Sequence, residues 1–257
     1  MEWLKTGHLK VASPKSRLIL ALNTSRSDMN EETGVVSRMH RQVKQWEAAG
    51  DHRAIFLSCY AMMTENMLKA IESGRFRDGP WVSALLHRFA DYYFDALECY
   101  DCGDKVPEAW RQVYEATLHQ KLHVLQHLLL GVNAHINYDL VLTLYEMLRA
   151  EWPSLSTEGR QRRRADHLMV NQVIAETIDQ VQDEVVERYD PFMDIIDRLL
   201  GRMDERFLSA LVSNWRGEVW ENVLGMLACR SAEEREELRR KVEAGVLHKA
   251  SWINPRL

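Results

Sequence analysis

QHLLLGVNAHINYDL, residues 126 to 140, decides the fold. The stretch is apolar nearly all round, so the helix it forms runs through the middle of the protein, wrapped by other helices. It also carries His127, Asn133, His135, Asn137 and Asp139. At about 100° per residue, His127, His135 and Asp139 fall within about a 120° arc of one helix face. A buried polar group destabilises by roughly 1–3 kcal/mol unless it finds a partner. The segment therefore predicts a central buried helix and a polar site upon it.

Outward from this stretch the helical period continues almost without interruption. Pro107 reads as a first-turn proline, and one long helix is predicted from Glu108 to about Ala150, with Gly131 allowing a bend or a close approach. Upstream, Val35, Val36, Met39, Val43 and Trp46 recur at helical spacing over Glu31 to Ala49. Phe56, Tyr60, Met63 and Met67 do the same over His52 to Ser73, and a third helix is predicted from Trp81 to about Tyr100. Downstream, LSTEG offers a cap for a helix reaching Tyr189, and a short helix follows Pro191 over Ile195 to Leu200. Another runs from Asp204 to about Cys229. Ser231 and Glu234 form a capping-box pattern for a charged, exposed terminal helix ending near Gly245. The expected architecture is all-α: a single-domain bundle of seven to nine helices, with residues 1–30 as an arm or short helix, 31–230 as the core and 231–257 as terminal helix and tail.

Composition narrows the function classes. The 257 residues are 46% hydrophobic and 28% charged, as in ordinary globular protein. A net charge of -5 argues against general affinity for nucleic acid. No apolar run approaches the ~20 residues of a membrane span, and the N-terminus lacks the pattern of a secretory signal, so a cytoplasmic protein is expected. Cys99 and Cys102 form a lone CxxC at a helix end, read as reduced thiols rather than half a zinc site. Arg160, Arg162, Arg163 and Arg164 read as a solvated face. No phosphate-cradling glycine loop, dinucleotide fingerprint, nucleophile elbow or HExxH occurs.

Three helices place polar residues where a core stripe should be apolar. On the central one, imidazoles at His127 and His135 with the Asp139 carboxylate are ligand types for zinc, iron or manganese, and HxxxD spacing brings His135 and Asp139 onto neighbouring turns. The other reading is a buried hydrogen-bond network in which Asp139 holds His135. On the second, Arg88, Tyr92 and Asp95 share a face, and the guanidinium needs a carboxylate or an anionic ligand. On the third, Asn171 could serve the same pocket, and Glu176, Asp179 and Asp183 form a row expected to face solvent.

Several of these residues carry a resemblance. Gly50-Asp51 followed by Phe56, Tyr60 and Thr64, then FRDGPWV at Phe76 to Val82, Arg88-Phe89-Ala90, Pro107-Glu108-Ala109-Trp110, the asparagine–alanine–histidine core of residues 133–135, Asn171 with Asp179, and Arg216 to Trp220 are similar to a bacterial helical family catalogued only as a domain of unknown function. The likeness covers roughly Asp51 to Cys229; His167 departs from it, standing after Asp166 where the family has an aromatic residue. It implies an all-helical bacterial cytoplasmic protein and brings no reaction.

The sequence thus predicts a small-molecule-binding helical protein, read as an enzyme. His127, His135 and Arg88 are the candidate catalytic residues, and His135, Asp139 and His127 the candidate ligands of a first-row metal. Asn133, Asn171 and Tyr92 are candidate substrate contacts; self-association is left open. The rival is a helical interaction module whose buried polar groups only staple the core.

Overall fold

The structure, a computed structural model, describes residues 24–117, 122–181, 184–185, 187–189 and 205–257, with side chains from residue 34 onward except at 179–180, 187 and 205–206. Among these residues there is no strand, and eight helices longer than one turn build the fold. They are α1 Thr24–Ala49, α2 Arg53–Glu72, α3 Gly79–Asp101, α4 Glu108–Thr117, α5, α6 Thr157–Val181, α7 Glu205–Ala228 and α8 Ala232–Ile253. Helix α5 is continuous but not uniform: Val124–Ala134 is α-helical, His135–Asp139 is a π-turn and Leu140–Glu151 is α-helical again. The predicted arm, the helix after Pro191 and the side chains of Asp179 and Asp183 lie mostly or wholly outside the described residues.

Two boundaries correct the sequence reading. The long helix from Glu108 to Ala150 is in fact two, because α4 ends at Thr117 and α5 starts at Val124. His123 caps the new start: its Nδ1 accepts from the Leu125 amide, while Gln126 Oε1 accepts from the His123 amide. Histidine is seldom an N-cap, so the pattern gave no stop signal. The terminal helix also runs past Gly245 to Ile253, and it is not merely an exposed appendage. Val242, Val246 and Ala250 bury against the core, which outweighs the roughly 1 kcal/mol cost of an internal glycine.

Helix α5 sits at the centre, as its apolar surface requires. Leu130, Ala134, Leu144 and Leu148 are almost wholly buried within one large cluster that includes Leu57, Tyr93, Trp110, Val219 and Val246 from five other helices. At Gly131 any Cβ would run into the ring of Phe56, so the lack of a side chain is what lets α2 and α5 touch there. Gly131 therefore serves a close approach, and the irregularity of α5 falls one turn later, in the π-turn.

A candidate ligand cavity beside the π-turn

Between α2, α3, α5, α6 and α7 the packing leaves a cavity of about 200 Å³. Its walls follow helical periodicity. Phe56, Tyr60, Met63 and Met67 come from α2, Val170, Ile174, Ile178 and Val181 from α6, and Leu208, Val212 and Arg216 from α7. The lining is overwhelmingly apolar. Two polar side chains interrupt it with nitrogen: His135 and Arg216.

His135 opens the π-turn and is almost wholly buried. Its Nδ1 lies 3.0 Å from Asp139 Oδ2. Both Asp139 oxygens accept from Trp110 Nε1, at 3.0 and 2.9 Å. The imidazole stacks face to face on Phe89, with centroids 3.6 Å apart, and meets the edge of Tyr60 at 4.3 Å. Its Nε2 is buried without a hydrogen-bond partner among the described residues. Burial holds His135 well below its ordinary pKa and pushes Asp139 well above the usual carboxylate range, with the Trp110 bond acting the other way on Asp139. The imidazole is therefore neutral, and a single proton between Nδ1 and Oδ2 sets the character of Nε2. When that proton is the imidazole's own, on Nδ1, Nε2 carries a lone pair; when Asp139 takes up a further proton on Oδ2 and donates it to Nδ1, the imidazole's own proton stands on Nε2, which is then a donor.

Arg216, absent from the sequence-predicted set, is 4% exposed and lines the same cavity. Its Nε donates to Asn171 Oδ1 at 2.7 Å and its Nη2 donates to the His167 carbonyl at 2.7 Å. His167 Nε2 donates to the Arg216 carbonyl at 2.9 Å, which turns Nδ1 as acceptor towards Arg216 Nη2 at 3.3 Å. Every partner is neutral. Burial brings the guanidinium down from its ordinary value to about 9. A signal did exist in the sequence: Leu208, Val212 and Arg216 form an i, i+4, i+8 stripe whose third member is charged.

The remaining predicted site residues are dispersed. His127 is buried, but it faces a separate small cleft shared with His52, Trp110 and Tyr114. There it stacks on His52 at 4.9 Å, and neither ring nitrogen has a partner among the described residues. Burial, followed by the charge of His52, lowers its pKa to about 4. Eight residues separate it from His135, about 12 Å along a helix axis, too far for one metal ion. Among the described residues no three His, Cys, Asp or Glu side chains are grouped to hold a metal. The expected triad of His127, His135 and Asp139 thus does not assemble, and Asp139 is already occupied by Trp110 and His135.

Arg88 and Tyr92 also stand apart from the cavity. Arg88 is half-exposed, and both it and the Tyr92 hydroxyl donate to Glu146 Oε2 of α5, at 2.9 and 2.8 Å. Asn133 Nδ2 donates to the Val246 carbonyl of α8 at 2.9 Å, while its Oδ1 accepts from Asn137 at 3.0 Å. These groups fasten helices. Asn171 does reach the cavity's surroundings, through Arg216. Glu176 is exposed and pairs with Arg75.

A sequence model described as a family of unknown function (DUF5995) matches residues 33–255. No curated protein and no solved structure matches the chain. No helix among the described residues is long and apolar enough to cross a membrane.

Proposed function

The chain belongs to this family of unknown function, and from that premise we propose that it binds an apolar small molecule in the cavity beside the π-turn and acts on it through His135. The observation that carries the reading is His135: its side chain lines an apolar cavity, its Nδ1 is fixed by Asp139, and its Nε2 is buried and unpartnered among the described residues. One ring nitrogen is held and the other lacks a partner among the described residues, an arrangement that suits an acid–base group oriented by a neighbouring acid. The π-turn supports the same reading, since such turns inside α-helices concentrate at functional sites. Volume is sufficient: a dry cavity of roughly 150 Å³ takes up benzene, and this one is about 200 Å³. The four cysteines are free and fit the reducing cytoplasm expected from the sequence.

The test is binding of N-phenyl-1-naphthylamine, an apolar fluorophore, to the full chain. Wild type should bind it with enhanced emission, and Val132→Phe, which fills the cavity wall, should abolish the signal while melting cooperatively. The ring nitrogens of His135 should shift in a nitrogen-15 spectrum on binding, and those of His127 should not. A wild-type protein that fails to bind the probe overturns the proposal and leaves the interaction module standing.

A further inference from the structure

Resting on the reading of the cavity as a ligand site, we infer that its ligand is an aliphatic carboxylate, whose anionic head is received by Arg216 and whose hydrocarbon tail fills the apolar stretch between α2, α5, α6 and α7. The argument starts from an imbalance of charge. Arg216 is buried, yet among the described residues no carboxylate lies within ion-pair distance of it. Asp166, the nearest acid in sequence to its partner His167, is turned elsewhere: its two oxygens accept from the amides of Arg77 and Asp78 at 2.7 and 3.0 Å. A buried cation is costly unless an anion accompanies it. Elsewhere this protein supplies one: Arg163 has Asp78 and Glu151, and Arg53 has Asp51 and Asp101. At Arg216 the described residues offer none, and the ligand does.

The guanidinium is also held as a receptor would be. Asn171 fixes Nε, and His167 fixes Nη2 through its carbonyl and its ring. Nη1 makes no hydrogen bond among the described residues and remains for an incoming group. Its N–H groups offer a charge-assisted contact to a carboxylate oxygen. Position agrees with this role. Arg216 is the last cavity-lining residue of α7, and His167 precedes Val170, the first cavity-lining residue of α6, by one turn. Polar groups thus close one end of these two walls, and Leu208, Val212, Ile174 and Ile178 line the rest. Met63 and Met67 add an adaptable surface for a flexible chain. One guanidinium balances one negative charge, which favours a carboxylate over a doubly charged phosphate monoester.

The experiment is displacement of N-phenyl-1-naphthylamine from the full chain by decanoate, 1-decanol and decyl phosphate. In wild type decanoate should displace the probe about tenfold more effectively than 1-decanol, the size of effect a desolvated charge-assisted bond gives. Arg216→Met should bring acid and alcohol level, and Arg216→Lys should keep the preference for the acid. Equal displacement by acid and alcohol in wild type overturns the anion site while sparing the cavity reading. A preference that survives in Arg216→Met overturns the role of Arg216, and decyl phosphate surpassing decanoate overturns the carboxylate. If no amphiphile displaces a probe that does bind, the aliphatic ligand is wrong; if the probe itself does not bind, the cavity reading fails and this inference with it. Should Arg216→Met fail to fold, the wild-type ratio and the lysine variant decide.

Discussion

Two faces of α5, separated by only two residues, handle buried polar groups in opposite ways. Asn133 and Asn137 look towards α8 and close upon each other and upon the Val246 carbonyl. His135 looks towards the cavity, is fastened by Asp139 on one side and leaves Nε2 unpaired among the described residues on the other. Both faces present amide or imidazole on an apolar helix, and composition cannot distinguish them. The hydrogen-bond tally can. A closed network specifies how helices meet, whereas an open one leaves a polar atom unpaired in a low-dielectric space, the feature on which the proposed ligand site rests.

The comparison breaks most severely at Asp139, which supports the open face. Asp139→Ala would orphan the Trp110 indole and the His135 Nδ1 together, at about 3 kcal/mol or more. A thermal melt should show a fall of roughly 6–12 °C for a chain of this size. A variant within a degree or two of wild type would mean that Asp139 is no hub. On the closed face, Asn133→Ala should cost about 1–2 kcal/mol by leaving the Asn137 amide without its acceptor and removing the bond to the Val246 carbonyl of α8. Its affinity for N-phenyl-1-naphthylamine should equal that of wild type, because the cavity is untouched; weakened binding would erase the distinction between the faces.

A third histidine sharpens the contrast through pH. His127 has its folded pKa lowered to about 4, against an unfolded value of about 6.5. Between these values the unfolded chain binds more protons than the native one, so stability is fully present above about 6.5 and drains as pH falls towards about 4. His127→Phe should make the acid-side loss of melting temperature shallower by one proton's worth, with His135 and His167 still contributing. An unchanged slope would show that His127 titrates normally. The smallest effect is expected at Arg88, where half-exposed pairing with Glu146 is worth about 0–1 kcal/mol. Arg88→Met should shift the melt by no more than a few degrees and leave probe binding intact; loss of binding would return Arg88 to the cavity.

Most of the helices were legible because their apolar positions recur at a period that depends on neighbours a few residues away. The His135–Asp139 pair was legible for the same reason, its members being four residues apart on one helix. The break before α5 was not, since it turns on a histidine cap and on Gln126 reaching back to it. Nor was the grouping of site residues. Shared helical phase suggested that His127 and His135 meet, yet axial distance puts them in different spaces, and α2 brings His52 up against one of them from its N-terminal end.

By itself, then, the sequence determined the all-helical class, the burial of α5 and the local pairing on its π-turn, all consequences of spacing along one chain segment. Tertiary structure decided which polar groups are satisfied. Trp110 reaches Asp139 across 29 residues, Val246 accepts from Asn133 across 113, and Arg216 meets Asn171 and His167 across 45 and 49. Whether a buried nitrogen is a staple or a site depends on who stands opposite it, and in a helical bundle the residue opposite belongs to another helix.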